Sequence, residues 1–156
     1  MNHSDFHKLV HVVLDSKAKP PATLFARGFD DWHCRARLAH FLAMPDLAHT
    51  EEAIELFRSV VEAEIDEENS EDVEEKVFAL QKLSEIEREN KKLTEALDHI
   101  SEAIELAEST DFLYKYILRG ELWADRWNTM HALEQTKEAE QEADARIDFY
   151  KDIPVE

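Results

Sequence analysis

Apolar residues recur at intervals of three and four along most of the chain, and β-branched residues never form an alternating run. This spacing is typical of amphipathic α-helices and not of half-buried strands. At the N-terminus, for example, Phe6, Leu9, Val10 and Val13 fall on one helical face. The pattern predicts an all-α protein whose helices span residues 4–16, 31–44, 51–66, 71–89, 93–108, 112–126 and 128–150.

Capping residues and prolines mark the breaks between these helices. Pro20 and Pro21 separate the first helix from the rest. Thr50 and Ser70 precede apolar runs and are the expected N-caps of two later helices. At 156 residues the chain suits a single domain over residues 1–156. An N-terminal helix with a proline-containing connector is predicted at residues 1–29. Three helix pairs are predicted to follow it, at residues 30–66, 71–108 and 111–150.

The helix pairs repeat one another in sequence. EAIELFRSVVEAE (52–64) aligns with EALDHISEAIELA (95–107), so that Ala53 matches Ala96. A fainter third copy is expected at Ala132 and Ala139. A small residue also recurs in the first helix of each pair, where it would let the two helices approach closely. These small residues are Ala39, Ser84 and Gly120.

Each pair contains one of the segments RARLAHFL, LQKLSEIE and YILRGELW, and each segment is followed by these alanines. Over residues 32–145 this arrangement resembles the tetratricopeptide repeat. The resemblance implies a right-handed superhelix of about three antiparallel helix hairpins, with an extra N-terminal helix and a long C-terminal capping helix. The chain departs from the motif in three ways: it lacks the terminating proline, it has Glu87 at an aromatic position, and 43 residues separate Ala53 from Ala96 instead of about 34. An antiparallel helix bundle is the alternative fold.

In the tetratricopeptide family, the first helices of successive repeats line a concave groove that binds a peptide or a partner helix. The resemblance therefore implies a protein-interaction module, an adaptor or chaperone-like binder, without catalysis. The groove carries aromatic and acidic side chains, which suit a basic or amphipathic segment. The implied groove residues are His33, Arg37, His40, Phe78, Gln81, Glu85, Tyr114, Ile117 and Glu121.

Charge narrows the set of partners. The net charge is −18, and residues 50–156 alone carry −19. Such a surface repels nucleic acids and anionic membranes, so neither is expected to bind. An acidic DNA mimic, which would occupy a nucleic-acid-binding protein, is the alternative function. With two glycines in the chain, a glycine-rich nucleotide cradle is excluded.

Two groups of residues suggest chemistry. His3, His7 and His11 form a stripe at i, i+4 spacing, which can chelate zinc, and a metal-binding protein is a second alternative. No further ligand motif accompanies the stripe, so we expect no metal and no cofactor. Cys34 lies near His33 and His40, but neighbouring helix positions point apart, so a packed thiol is expected instead of a nucleophile.

A single cysteine cannot form an intrachain disulfide, which favours a reducing, cytoplasmic location. No apolar run reaches the length of a transmembrane helix, and the N-terminus lacks the pattern of a signal peptide. The last helix, with few and small apolar residues, is expected to cap the stack with a polar outer face. A homodimer formed through this helix is the alternative.

Overall fold

The all-α prediction is confirmed. The computed structural model describes Lys8 and residues 32–44, 50–113 and 115–151, and these ranges contain six α-helices and no β-strand. The predicted N-terminal helix and connector (residues 1–29) lie outside them, apart from Lys8. The helices are α1 (Trp32–Leu42), α2 (Thr50–Val61), α3 (Ser70–Glu89), α4 (Leu93–Ser109), α5 (Lys115–Ala132) and α6 (Thr136–Lys151).

The helices pack in chain order. Each helix contacts the next one, and α1, α3 and α5 also contact one another in that order. Within the described ranges, α1 and α2 make no comparable contact with α5 or α6. A continuous cluster of buried apolar side chains runs from α1 to α5. We call α1–α2, α3–α4 and α5–α6 the first, middle and third hairpins, and this order places the first helices of the hairpins side by side.

An alanine marks the same place in each hairpin. Ala53, Ala96 and Ala139 are the fourth residues of α2, α4 and α6, and each is at most 1% exposed. Successive members of the set are 43 residues apart. The repeat seen in the sequence is therefore a repeat of helix position and burial.

The turns that join the helices of the middle and third hairpins also repeat after 43 residues. Lys91 and Glu134 adopt left-handed backbone conformations with φ of 63° and 62°. In both turns the next residue's N–H donates a hydrogen bond of 2.8 Å to a carbonyl five residues earlier. The two turns are thus the same helix-terminating structure, built without glycine at the left-handed position.

Several predicted boundaries are wrong, most clearly in the third hairpin. The break between α5 and α6 falls at residues 133–135, and Asn128 lies inside α5 instead of starting the last helix. Ala132 is the exposed last residue of α5, so Ala139 alone is the counterpart of Ala53. Gly120 is also exposed, and a Cβ there would meet no atom within 4 Å. It mediates no close helix approach. In the first hairpin, α2 ends earlier than predicted, at Val61.

The predicted close approach does occur in the middle hairpin. Ser84 is 1% exposed, and its Oγ donates a hydrogen bond of 2.7 Å to the carbonyl of Ala96. A larger side chain at either position would separate α3 from α4. Ala39, the corresponding small residue of α1, is fully buried.

The N-cap of α3 is Asn69, not Ser70. The Oδ1 atom of Asn69 accepts hydrogen bonds from the backbone N–H groups of Glu71 (3.1 Å) and Asp72 (3.3 Å). We expect Asn69→Ala to lower the free energy of unfolding by about 1 kcal/mol, because two backbone donors lose their acceptor. Ser70→Ala is the matched control, with an expected change below about 0.5 kcal/mol. Urea unfolding followed by circular dichroism measures both, and equal effects would contradict this assignment.

Candidate functional site

His33 connects α1 to α3. Its Nε2 atom lies 3.1 Å from Oδ1 of Asp72, and its Nδ1 atom lies 2.5 Å from Oε2 of Glu75. The ring also stacks on Trp32, with 3.9 Å between centroids. Both ring nitrogens of His33 thus face carboxylates of α3. The predicted groove residue His33 therefore holds the first and middle hairpins together.

Gln81 makes a corresponding connection from α3 to α5. Its Nε2 atom donates a hydrogen bond of 3.2 Å to Oδ2 of Asp125. Arg88 Nη1 reaches the same residue, at 3.2 Å from its backbone carbonyl and 3.5 Å from Oδ1. The sequence predicts Gln81 as a ligand-binding residue. In the structure it takes part in the contact between the middle and third hairpins.

His40 packs within the first hairpin. Its ring meets the buried ring of Phe57 edge-on, with 4.8 Å between centroids and 82° between planes. Burial, with a smaller effect from the positive charge of Lys82, lowers the pKa of His40 to about 4. At neutral pH the ring is uncharged, and it behaves as an aromatic packing residue.

An exposed aromatic ring lies among charged side chains on α3. Phe78 is 36% exposed, and four charged residues share its helical face at spacings of three and four. We call this set the Phe78 surface. Its members are Glu71, Glu74, Phe78, Lys82 and Glu85.

The Phe78 surface is electrostatically negative. Its one amine, Lys82 Nζ, lies 3.0 Å from Oε1 of Glu85. Desolvation and, to a smaller degree, the neighbouring charge of Glu71 raise the pKa of the Glu74 carboxyl. A cation placed beside Glu74 would offset the negative charge of Glu71 and favour the ionised carboxylate, so the surface is suited to positively charged groups.

The remaining predicted groove residues are Arg37 of α1, Ile117 and Glu121 of α5, and Tyr114. Glu121 is exposed and lies one turn before Asp125, on the side of α5 that adjoins α3. Tyr114 and the side chains of Arg37 and Ile117 lie outside the described residues. Among the described members, Phe78 and Glu121 are exposed and Glu85 is half-buried.

Sequence reasoning missed a buried acid–base pair in the middle hairpin. Glu87 is fully buried in the last turn of α3, and its Oε2 atom lies 2.7 Å from Nδ1 of His99 in α4. The hydrogen bond to Glu87 raises the pKa of His99 and outweighs the opposing effect of burial. The sequence contains a spacing that predicts this pair. Glu87 and His99 are 12 residues apart, as are Ser84 and Ala96, which meet across the same two helices.

The outer face of α6 is polar. Glu140, Asp144 and Ile147 stand 43 residues after Leu97, Ser101 and Ile104 of α4. Ser101 accepts a hydrogen bond of 2.5 Å from Arg126 of α5, so this face of α4 is covered by the following helix. On α6, two of the three positions are acidic and Ile147 is 55% exposed. The capping role of α6 and its alternative, dimerisation through this helix, both stay predictions.

A different set of contacts fastens α6 to the stack. Arg146 lies 4.1 Å above the ring of Trp123 and donates a hydrogen bond of 3.3 Å to Oε1 of Glu108. Trp127 Nε1 donates a bond of 3.1 Å to Oε2 of Glu142. Aromatic and charged side chains thus hold α6 against α4 and α5.

In the part of the chain that the structure describes, no group of three or more His, Cys, Asp or Glu is arranged to hold a metal ion. His3, His7, His11 and the side chain of Cys34 lie outside that part. None of the described helices is both long and apolar enough to cross a bilayer.

Comparison with known proteins identifies no relative. No protein-family model matches the chain, no curated protein matches its sequence, and no solved structure matches its fold.

Proposed function

We propose that the chain is a protein-interaction module that binds a basic or amphipathic segment of a partner protein, without catalysis. The Phe78 surface is the proposed contact, and Glu121 of α5 extends it. The observation that carries the proposal is an exposed aromatic ring that shares its helical face with three glutamates, on the middle of three adjoining helices.

The order of helix contacts supports an open, tetratricopeptide-like stack. A closed bundle would bring its first and last helices together, whereas among the described helices α1 and α2 make no substantial contact with α5 or α6. The period of 43 residues is longer than the tetratricopeptide period of about 34, so the proposed superhelix is built from enlarged repeats. In an open stack the first helices share a continuous face, which can bind an extended or helical segment.

The chemistry of the Phe78 surface specifies the ligand. Aromatic side chains dominate binding energy at interfaces because they offer a large, rigid apolar area. The surrounding carboxylates favour lysine and arginine and repel acidic sequences. A net charge of −18 extends this selection over long distances and speeds the encounter with basic partners. The proposed setting is the cytoplasm, where the single cysteine stays reduced.

We expect Phe78→Ala to weaken the binding of amphipathic, lysine- and arginine-rich peptides by at least about tenfold. Fluorescence polarisation with labelled basic peptides, and with acidic peptides of the same apolar pattern, measures this effect. Leu113→Ala is the matched control, because Leu113 is 82% exposed and lies off the Phe78 surface. Glu74→Gln is expected to weaken binding in a salt-dependent way.

The binding and unfolding measurements together test whether Phe78 forms the binding site. Basic peptides should bind the wild type and the Leu113 variant alike, and Phe78→Ala should bind them poorly while unfolding at nearly the wild-type urea concentration. Equal binding by the Phe78 and Leu113 variants, or a preference for acidic peptides, would refute the proposed site.

A further inference from the structure

Glu87 is a buried carboxylate with a single described partner. The side chain is 0% exposed, and its Oε2 atom lies 2.7 Å from Nδ1 of His99. Its Oε1 atom has no hydrogen-bond partner among the described residues. A buried charge is costly unless it is both paired and hydrogen-bonded, so the state of His99 decides how stable this part of the fold is.

His99 can exchange a proton with solvent. Its side chain is 23% exposed, whereas Glu87 is sealed in the hairpin. The charged groups acting on the imidazole are Glu87 from α3 and Asp98 and Glu102 from its own helix. All three are acidic, so each favours the imidazolium form.

We propose that Glu87 and His99 form a proton-operated lock on the middle hairpin. With a proton on both ring nitrogens, His99 pairs with the buried carboxylate and holds the end of α3 against α4. When the ring loses that proton, the buried pair loses its ionic attraction, and the end of α3 and the start of α4 loosen. The first and third hairpins both pack on this hairpin, so its opening separates them.

The direction of the pH effect follows from linkage. The folded protein raises the pKa of His99 above the ordinary value of 6.5, so it binds this proton more tightly than the unfolded chain does. The added stability is complete below about pH 6.5 and is lost as the pH rises through the raised value. The lock is therefore closed in mildly acidic solution and opens towards alkaline pH.

Hydrogen exchange measured by mass spectrometry at about pH 6 and about pH 9, corrected for intrinsic rates, tests the lock. We expect protection in residues 86–100 to fall on the order of tenfold at the higher pH, the size expected when a buried polar group loses its partner. Protection in α2 should change less. An NMR titration of the His99 ring in the wild-type protein gives an independent reading, with an expected pKa above 6.5.

The third hairpin offers a matched variant. Met130 is buried 43 residues after Glu87, so Glu87→Met places a side chain that this fold already accommodates. This variant should lose the difference between the two pH values and lower the pKa of His99. The control is His131→Gln, which removes an exposed histidine and should behave as wild type. Unchanged pH dependence in Glu87→Met, or a wild-type His99 pKa at or below 6.5, would overturn the proposal.

Discussion

Replacing Phe57 with alanine is expected to lower the free energy of unfolding by about 3–5 kcal/mol. Phe57 is 0% exposed and is the largest fully buried side chain among the described residues. Truncation removes its apolar contacts, leaves a cavity between α1 and α2, and deprives His40 of its aromatic neighbour. Chemical denaturation at equilibrium measures the loss.

Phe78→Ala is the matched control for this variant, since it makes the same chemical change at a position that is 36% exposed. Its expected cost is about 1 kcal/mol or less. Similar losses in the two variants would contradict the assignment of Phe57 to the core and Phe78 to the surface.

Acidification from about pH 7 to about pH 4 is expected to destabilise the protein by up to about 3 kcal/mol through His40 alone. Because the folded pKa is lowered from 6.5 to about 4, the folded state favours the neutral ring. The contribution of the neutral His40 ring to the free energy of unfolding is therefore fully present above pH 6.5 and is lost as the pH falls towards 4. This direction is opposite to that of His99, so the two histidines limit stability from the acid and alkaline sides.

His40→Phe isolates the acid effect, because phenylalanine retains an aromatic ring against Phe57 and does not titrate. Unfolding free energies of the two proteins, measured at a series of pH values between about 7 and 4, should diverge in favour of the variant as the pH falls. His131→Gln again serves as the control and should follow the wild type. Parallel curves for wild type and His40→Phe would show that His40 is not held neutral by burial.

Much of the fold could be predicted because the spacing of apolar residues alone identifies helices. Their ends were harder to place. Asn69 and Ser70 are adjacent and both are good capping residues, so the sequence does not distinguish them. The break at residues 133–135 depends on Glu134 in a left-handed conformation, and nothing in the tripeptide LEQ predicts it.

The candidate site stays a prediction, which the sequence specifies to the level of a helix face. The resemblance selected α1, α3 and α5, and helical spacing identified which residues share a side. It did not reveal partners on other helices, such as Glu75 for His33 and Asp125 for Gln81. These partners lie 42 and 44 residues further along the chain, close to the 43-residue period. Residues one repeat apart are thus the natural candidates for contacts between hairpins.

Lys91 and Glu134 lie in equivalent turns 43 residues apart, and this distance affects how such a chain can lengthen. A tandem duplication of the 43 residues between these turns would add one complete helix–turn–helix unit and leave every later residue on its original helix face. A duplicated segment of another length would rotate the following helices and turn their apolar sides towards water. In the proposed open stack, growth by whole hairpins would therefore preserve the packing, provided that the polar face of α6 remained last.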